Sequence, residues 1–264
     1  MVSKKLYSPL AILRTKMKIK LLLILLLSAS LFAGKITVAV AANVSYAIDD
    51  LKKEFHALYP NTKVNIILGG TGKLVAQIKH KAPYDILMGA NMMYPKSLYK
   101  SGEAITRPLV YAQGALAYLS QTEMDFSKGI TLLSDKNIKK IAVANPKTAP
   151  YGQASIEALK SAGIYEKIKH KIVYGESISQ TLTYAMRATD IGLIAKSALF
   201  SPKLTHLKKE KNWIELDPKL YTPIDQGVVL LKHGEKNAEA SAFYAFILSK
   251  KAKIIFEKFG YSVP

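Results

Sequence analysis

Four short stretches of the sequence hold the residue types that suit a small anion. They are "VAANVS" (Val40 to Ser45), "GGTGK" (Gly69 to Lys73), "NPKTAPYGQAS" (Asn145 to Ser155) and "GESISQT" (Gly175 to Thr181). Each follows an apolar run that reads as a strand and opens a segment that reads as a helix. Each supplies small or hydroxyl side chains. The first amides of a helix have no internal acceptor and carry the positive end of the helix dipole, so such turns bind negative charge. Taken singly, each turn is equally explained as a helix cap, since Asn43, Ser45, Thr71 and Ser177 all suit the N-cap position. Four together shift the balance toward a shared ligand.

The turn "GGTGK" first suggests a nucleotide loop. A Walker A loop needs a glycine five positions before its G-K pair and a Ser or Thr after it. Here those positions are Ile67 and Leu74. The dinucleotide fingerprint also fails, because Val75 stands where its third glycine belongs. Catalytic motifs are equally missing: there is no G-x-S-x-G elbow, no H-E-x-x-H and no clustered carboxylate pair. His56, His80, His170, His206 and His233 lack ligand spacing, and the absence of cysteine excludes disulfides and thiolate metal sites. The sequence therefore reads as a binding protein rather than an enzyme.

The elements that must position these turns alternate. "KITVAVA", "KVNIIL" and "YDILMGA" read as strands, separated by the helices "NVSYAIDDLKKEFHALY" and "GKLVAQIKH". A second series has the strands "KIAVANP", "KIVYGE" and "IGLIAK" and the helices "QASIEALKSAG" and "SISQTLTYAMRAT". Ala47, Leu51, Phe55 and Leu58 share one face of the first helix. Such alternation predicts an α/β fold with mostly parallel sheets and ligands beyond the carboxyl ends of the strands. "GALAYLS" and "GVVLL" are the expected crossings between two lobes, and "NAEASAFYAFILSKKAKIIFEKFG" reads as one closing helix. The expected division is 34–114 with 219–264 as lobe 1 and 115–218 as lobe 2.

Residues 1–33 form a different segment. Six basic and no acidic residues precede or border the apolar run "LLLILLLSASLFA" (Leu21 to Ala33). A basic start, a short apolar run and small residues match a secretory signal peptide, starting at Met1 or Met17, with cleavage expected after Ala33 and Ser30 as the rival site; an uncleaved membrane anchor is the alternative. No cysteine follows for lipid attachment, so a soluble, periplasmic mature protein is expected. The formal charge of +19 falls to +13 once the leader's six basic residues are removed. The remaining lysines are scattered, without interleaved aromatics, so no nucleic-acid partner is expected.

The order of pieces resembles the periplasmic molybdate-binding proteins, substrate-binding subunits of molybdate/tungstate ABC importers. The matching pieces are "KITVAVAANVSYAIDDLKKEF", "GGTGKLVAQIKHKAPYDILMGAN", "IAVANPKTAPYGQASIEALKSAG", "GESISQTL", "IGLIAKSAL" and "FGYSVP". The resemblance covers nearly the whole mature chain. It implies a two-lobed periplasmic-binding-protein fold (type II), each lobe a mixed, mostly parallel sheet flanked by helices. It implies a molybdate or tungstate ligand, no cofactor, a monomer, and ABC transporter membrane subunits as partners. It places oxyanion contacts on Asn43 with Ala42, on the Thr71 hydroxyl, and on the amides of Tyr151 and Ile178, with Gly70, Gly72, Gly152 and Ser177 in support. Ala195 replaces a tyrosine that some members use, Asn91 stands where an Asp is common, and Gly69 and Gly70 replace frequent serines. Sulfate or another small anion is the alternative ligand.

Overall fold

The computed structural model describes residues 34–264. The signal-peptide expectation, residues 1–33, lies outside the described residues. Two five-stranded sheets organise the described chain, each mixed and each flanked by helices.

The first sheet has the order β2-β1-β3-β10-β4. Strand β1 (Lys35–Ala41) pairs in parallel with β2 (Lys63–Gly69) along its whole length and with β3 (Ile86–Met88) on its other side. Strand β10 (Ile224–Leu230) runs antiparallel between β3 and β4 (Leu109–Gly114). The second sheet repeats this plan as β7-β6-β8-β5-β9. There β6 (Ile141–Ala144) lies parallel to β7 (Ile172–Gly175) and β8 (Ile191–Ala195). Strand β5 (Leu116–Leu119) runs antiparallel between β8 and β9 (Trp213–Glu215). The chain thus crosses from one sheet to the other at Ala115 and returns between β9 and β10.

Burial explains the sequence pattern. Strands β6 and β8 are buried on both faces and read as unbroken apolar runs. Helix α1 (Ile48–Leu58) turns Leu51 and Phe55 inward. Phe55 meets Phe243 edge-on at 4.9 Å between ring centres, joining α1 to α7 (Ala238–Ile247). Helices α2 (Thr71–Lys79) and α3 (Met93–Lys100) cover part of the first sheet. Around the second sheet lie α4 (Pro150–Ser161), the one-turn α5 (Tyr165–Ile168) and α6 (Ile178–Arg187).

Three local expectations change. Strand β4 is an additional element; the expected strand "GALAYLS" begins at Leu116, because Gly114 already pairs with Ile224 in the first sheet. The expected closing helix is two helices, α7 and α8 (Lys250–Lys258). The Ser249 hydroxyl accepts from Ala252 N and starts the second one afresh. The expected first helix opens instead as a 3₁₀ turn, Ala42–Tyr46, before α1 begins. Its carbonyls are taken by hydroxyls from elsewhere: Ser179 donates to Ala42 O, and Ser197 and Tyr261 donate to Asn43 O.

Helix α4 lies so close to β6 that a Cβ on Gly152 would stand 2.2 Å from Ala144 O. Helix propensity alone favours Gly152→Ala by about 1 kcal/mol. The backbone clash outweighs it, and the substitution is expected to destabilise the protein by about 1–3 kcal/mol. Urea unfolding measures this, and an unchanged or raised midpoint would show that the helix yields at no cost.

Candidate functional site

The carboxyl ends of the parallel strands in the two sheets face each other across a cleft. Beyond β1 and β2 stand the 3₁₀ turn at Ala42 and the start of α2; beyond β6 and β7 stand the starts of α4 and α6. Between them lies a small cavity, with about 190 Å³ of space outside the atoms, part of it open to solvent, and only about 10 Å³ in which the centre of a water-sized sphere fits. Its lining includes Ala42, Asn43, Gly70, Thr71, Tyr151 and Ile178, and it contains no Lys, Arg, Asp, Glu or His. The five principal residues named from the sequence thus stand around one space, with Gly70 of the supporting set. Gly72, Gly152 and Ser177 are outside the lining.

Each turn brings its amide by a different local device. Gly70 occupies the N-cap position of α2 in extended conformation, and Thr71 is the first helical residue rather than the cap. Pro150 begins α4, where its missing N–H costs nothing, and Tyr151 follows. Ser177 caps α6 with its hydroxyl, accepting from Gln180 N at 3.2 Å, and leaves Ile178 as the first helical residue. Among the described residues, the N–H groups of Asn43, Thr71, Tyr151 and Ile178 have no recorded acceptor. As residues of a first turn, they have none within their own helices.

Thr71 is buried, and its hydroxyl oxygen accepts from Ala90 N at 3.1 Å. With one lone pair engaged, the O–H is left as a donor for the cavity. Asn43 behaves differently from a side-chain ligand. Its Nδ2 donates to Gln226 Oε1 at 2.9 Å and Tyr261 Oη at 2.8 Å. Its contribution to the cavity is therefore the backbone N–H. A trans peptide sets C=O and N–H in opposite directions, so the Ser179 hydroxyl on Ala42 O, at 3.0 Å, also fixes where Asn43 N–H points.

Two buried side-chain atoms here have no hydrogen-bond partner among the described residues, Asn43 Oδ1 and Tyr151 Oη. Burial pushes the Tyr151 phenol far above its ordinary range, with Tyr261, Tyr111, and Tyr221 adding to the rise. Tyr151 is accordingly neutral at any physiological pH. Below the cavity the apolar core of the second sheet extends to Ala41, Ala42 and Ala90, which keeps its floor dry.

The lobes touch around this space. Gly72 N donates to Thr148 O at 2.9 Å, Ser197 Oγ to Asn43 O at 3.0 Å and Tyr94 Oη to Lys147 O at 3.4 Å. Gly72 thus serves closure. A Cβ at Gly70 would lie 3.0 Å from Glu176 O and 3.1 Å from Thr148 O, so this approach needs glycine. Ala195, which stands where some similar proteins carry a tyrosine, is buried in β8. The Tyr261 hydroxyl, which was absent from the sequence-based set, enters the neighbourhood by holding Asn43. Of the histidines, His233 is bonded through Nδ1 to the buried Asp85 at 2.8 Å, in the first lobe and outside the cavity lining. Among the described residues no group of three or more His, Asp or Glu could hold a metal ion.

The fold and this cleft between two sheets define a ligand-binding class of protein. The family model for bacterial extracellular solute-binding proteins matches residues 36–262, and the chain belongs to that family. It is 33% identical over 235 residues to the molybdate-binding protein ModA of Rhodobacter capsulatus, covering 87% of this chain and 88% of that one. It is 31% identical over 240 residues to ModA of Azotobacter vinelandii, covering 90% and 94%. Among solved structures, the periplasmic molybdate-binding protein of Azotobacter vinelandii superposes with a TM-score of 0.80 at 27% identity, covering 87% of this chain and 99% of that one. The sulfate-binding protein SubI of Mycobacterium tuberculosis shares the fold, with a TM-score of 0.70 at 11% identity, over 86% of each chain.

Thr71→Val removes the hydroxyl while keeping the shape, and leaves Ala90 N without its acceptor. Affinity for a tetrahedral oxyanion is expected to fall by roughly tenfold to a hundredfold, the cost of one missing donor to a buried charge. Calorimetric titration of wild type and variant checks it, with circular dichroism confirming the fold; equal affinities would move the anion away from Thr71.

Proposed function

We propose that this protein binds one molybdate or tungstate ion between its lobes and delivers it to an ABC importer. The observation that carries the reading is the cavity itself: free first-turn amides and one hydroxyl converge on it, and no ionisable cation or carboxylate lines it. The similarity to molybdate-binding proteins supports it along nearly the whole described chain.

The donor set suits the ligand's chemistry. Molybdate and tungstate are tetrahedral dianions that carry no proton at neutral pH. A buried charge is tolerable where every oxygen meets a donor. Phosphate keeps a proton at neutral pH and needs an acceptor, which a set of N–H and O–H donors does not offer. Sulfate has the same charge and shape and is separated only by its smaller size. Neutral donors also bind without a full opposite charge, which eases release at the transporter.

In this reading the oxyanion contacts are the amides of Asn43, Thr71, Tyr151 and Ile178 and the Thr71 hydroxyl. Gly70 allows close approach, Gly72 and Gly152 shape the two helix starts, and Ser177 fixes the third. Lobe 1 comprises 34–114 and 219–264, and lobe 2 comprises 115–218. The mature protein is a periplasmic monomer released by cleavage after Ala33, and it acts as a carrier rather than an enzyme. Transporter membrane subunits receive the closed form.

Thermal-shift titration decides the ligand. Molybdate and tungstate at a hundred times Kd stabilise by about 2.7 kcal/mol, a midpoint rise of roughly 5–10 °C for a chain this size. Sulfate is expected to act only at higher concentration and phosphate not at all. No rise with either metal oxyanion would overturn the reading. A pH series adds a second check. Tyr151 is the only titratable side chain on the lining, and its pKa is raised, so it stays neutral as pH rises. Molybdate affinity is therefore expected to be flat from about pH 6.5 to about pH 9. A tenfold change across that window would place a titrating group at the ligand.

A further inference from the structure

A second, larger space opens between the lobes beside the anion cavity. It shares Ala42 and Gly69 with the cavity and holds about 1320 Å³ outside the atoms, much of it continuous with solvent. Its polar lining has a consistent character. Ser45 and Ser179 line it, as do two exposed cations, Lys203 and Arg187, the latter the last residue of α6 and nine positions beyond Ile178 of the cavity. No Asp or Glu lines it. Among the described residues neither Arg187 nor Lys203 forms a salt bridge. Ser179 spans the boundary, since its hydroxyl bonds Ala42 O across the cleft at 3.0 Å.

We infer that this groove is the route by which the oxyanion reaches the cavity, and that Arg187 and Lys203 capture it electrostatically without becoming its final ligands. The inference rests on the anion-carrier reading above. A site built from neutral donors exerts little force on an ion several water layers away. Charged groups extend that reach over about a Debye length, 8–10 Å at ordinary salt. Two exposed, unpaired cations on the groove wall raise the local concentration of a dianion and hence its association rate. Because they lie outside the cavity lining, they do not hold the buried ion. Capture and retention are then divided between two sets of groups, and release is not slowed by a full countercharge.

Stopped-flow fluorescence with molybdate tests this, using the wild type, the Arg187→Gln/Lys203→Gln double variant and a control, Lys236→Gln/Lys250→Gln. The control removes the same charge from residues outside both spaces. The groove variant is expected to associate roughly three to ten times more slowly at low ionic strength. Its dissociation rate should stay within about twofold of the wild type, and its association rate should depend less steeply on salt. The control should associate at close to the wild-type rate. An unchanged association rate in the groove variant, an equal loss in the control, or a loss expressed only in dissociation would overturn the inference while leaving molybdate binding intact. No molybdate binding by the wild type at equilibrium would instead remove the carrier reading, and this inference with it.

Discussion

The rest of the molecule follows from the difficulty of taking a doubly charged ion out of water. An isolated buried charge of this kind costs tens of kcal/mol unless donors replace its hydration. Such donors are available at no cost in new residues wherever a helix begins, because its first amides lack internal acceptors. A parallel strand followed by a helix delivers one such start at each carboxyl end. Two sheets set with those ends facing each other supply four, and the residues between them must be small or apolar for the amides to converge. The alanines at 41, 42 and 90 and the glycine at 70 meet that requirement.

The same constraint accounts for the hydroxyl groups around Asn43. A 3₁₀ turn is short and holds its amides loosely. Here Ser179, Ser197 and Tyr261 bond its carbonyls, while Gln226 and Tyr261 engage its side chain. The turn is thereby fixed from three directions, two of them in the opposite sheet's body or beyond it. Gln226 and Tyr261 lie on the turn's own side of the cleft and hold it before an ion arrives, the advantage of preorganisation, while the Ser179 and Ser197 bonds form where the two sides meet.

Much of this was legible in the sequence, for a physical reason. Strand-to-helix alternation is a local signal, and the helix-starting turns are marked by glycine, proline and hydroxyl residues within a few positions. The two βαβαβ series and the crossing near Gly114 could therefore be read directly, whereas the return, expected at "GVVLL", comes earlier, between β9 and β10, because Gly227–Leu230 is already paired inside the first sheet. What could not be read depends on distant partners. Strand β4 follows Pro108 and alternates only irregularly between exposed and buried positions, and its pairing with β10 reveals it. The sequence points to Asn43 without saying what its side chain does; the partners of that side chain, Gln226 and Tyr261, lie 183 and 218 positions away. Thr71 and Asn43 resemble caps in isolation, yet only Ser177 of the four candidate caps uses its hydroxyl that way.

The insertion of β10 between β3 and β4 has a bearing on the order in which the chain becomes competent. The second sheet is assembled from residues 116–215 in one continuous stretch. The first has an interior position, between β3 and β4, filled by residues 224–230, and its Asn43 turn is secured by Tyr261. During synthesis or passage across a membrane, the second body can therefore finish while the first still lacks an interior strand. A chain emerged that far carries all four amide-bearing turns, but the Asn43 turn still lacks Gln226 and Tyr261 and the first sheet still lacks β10. Ligand competence arrives last, when the latter part of the polypeptide threads back into the sheet that the earliest strands began.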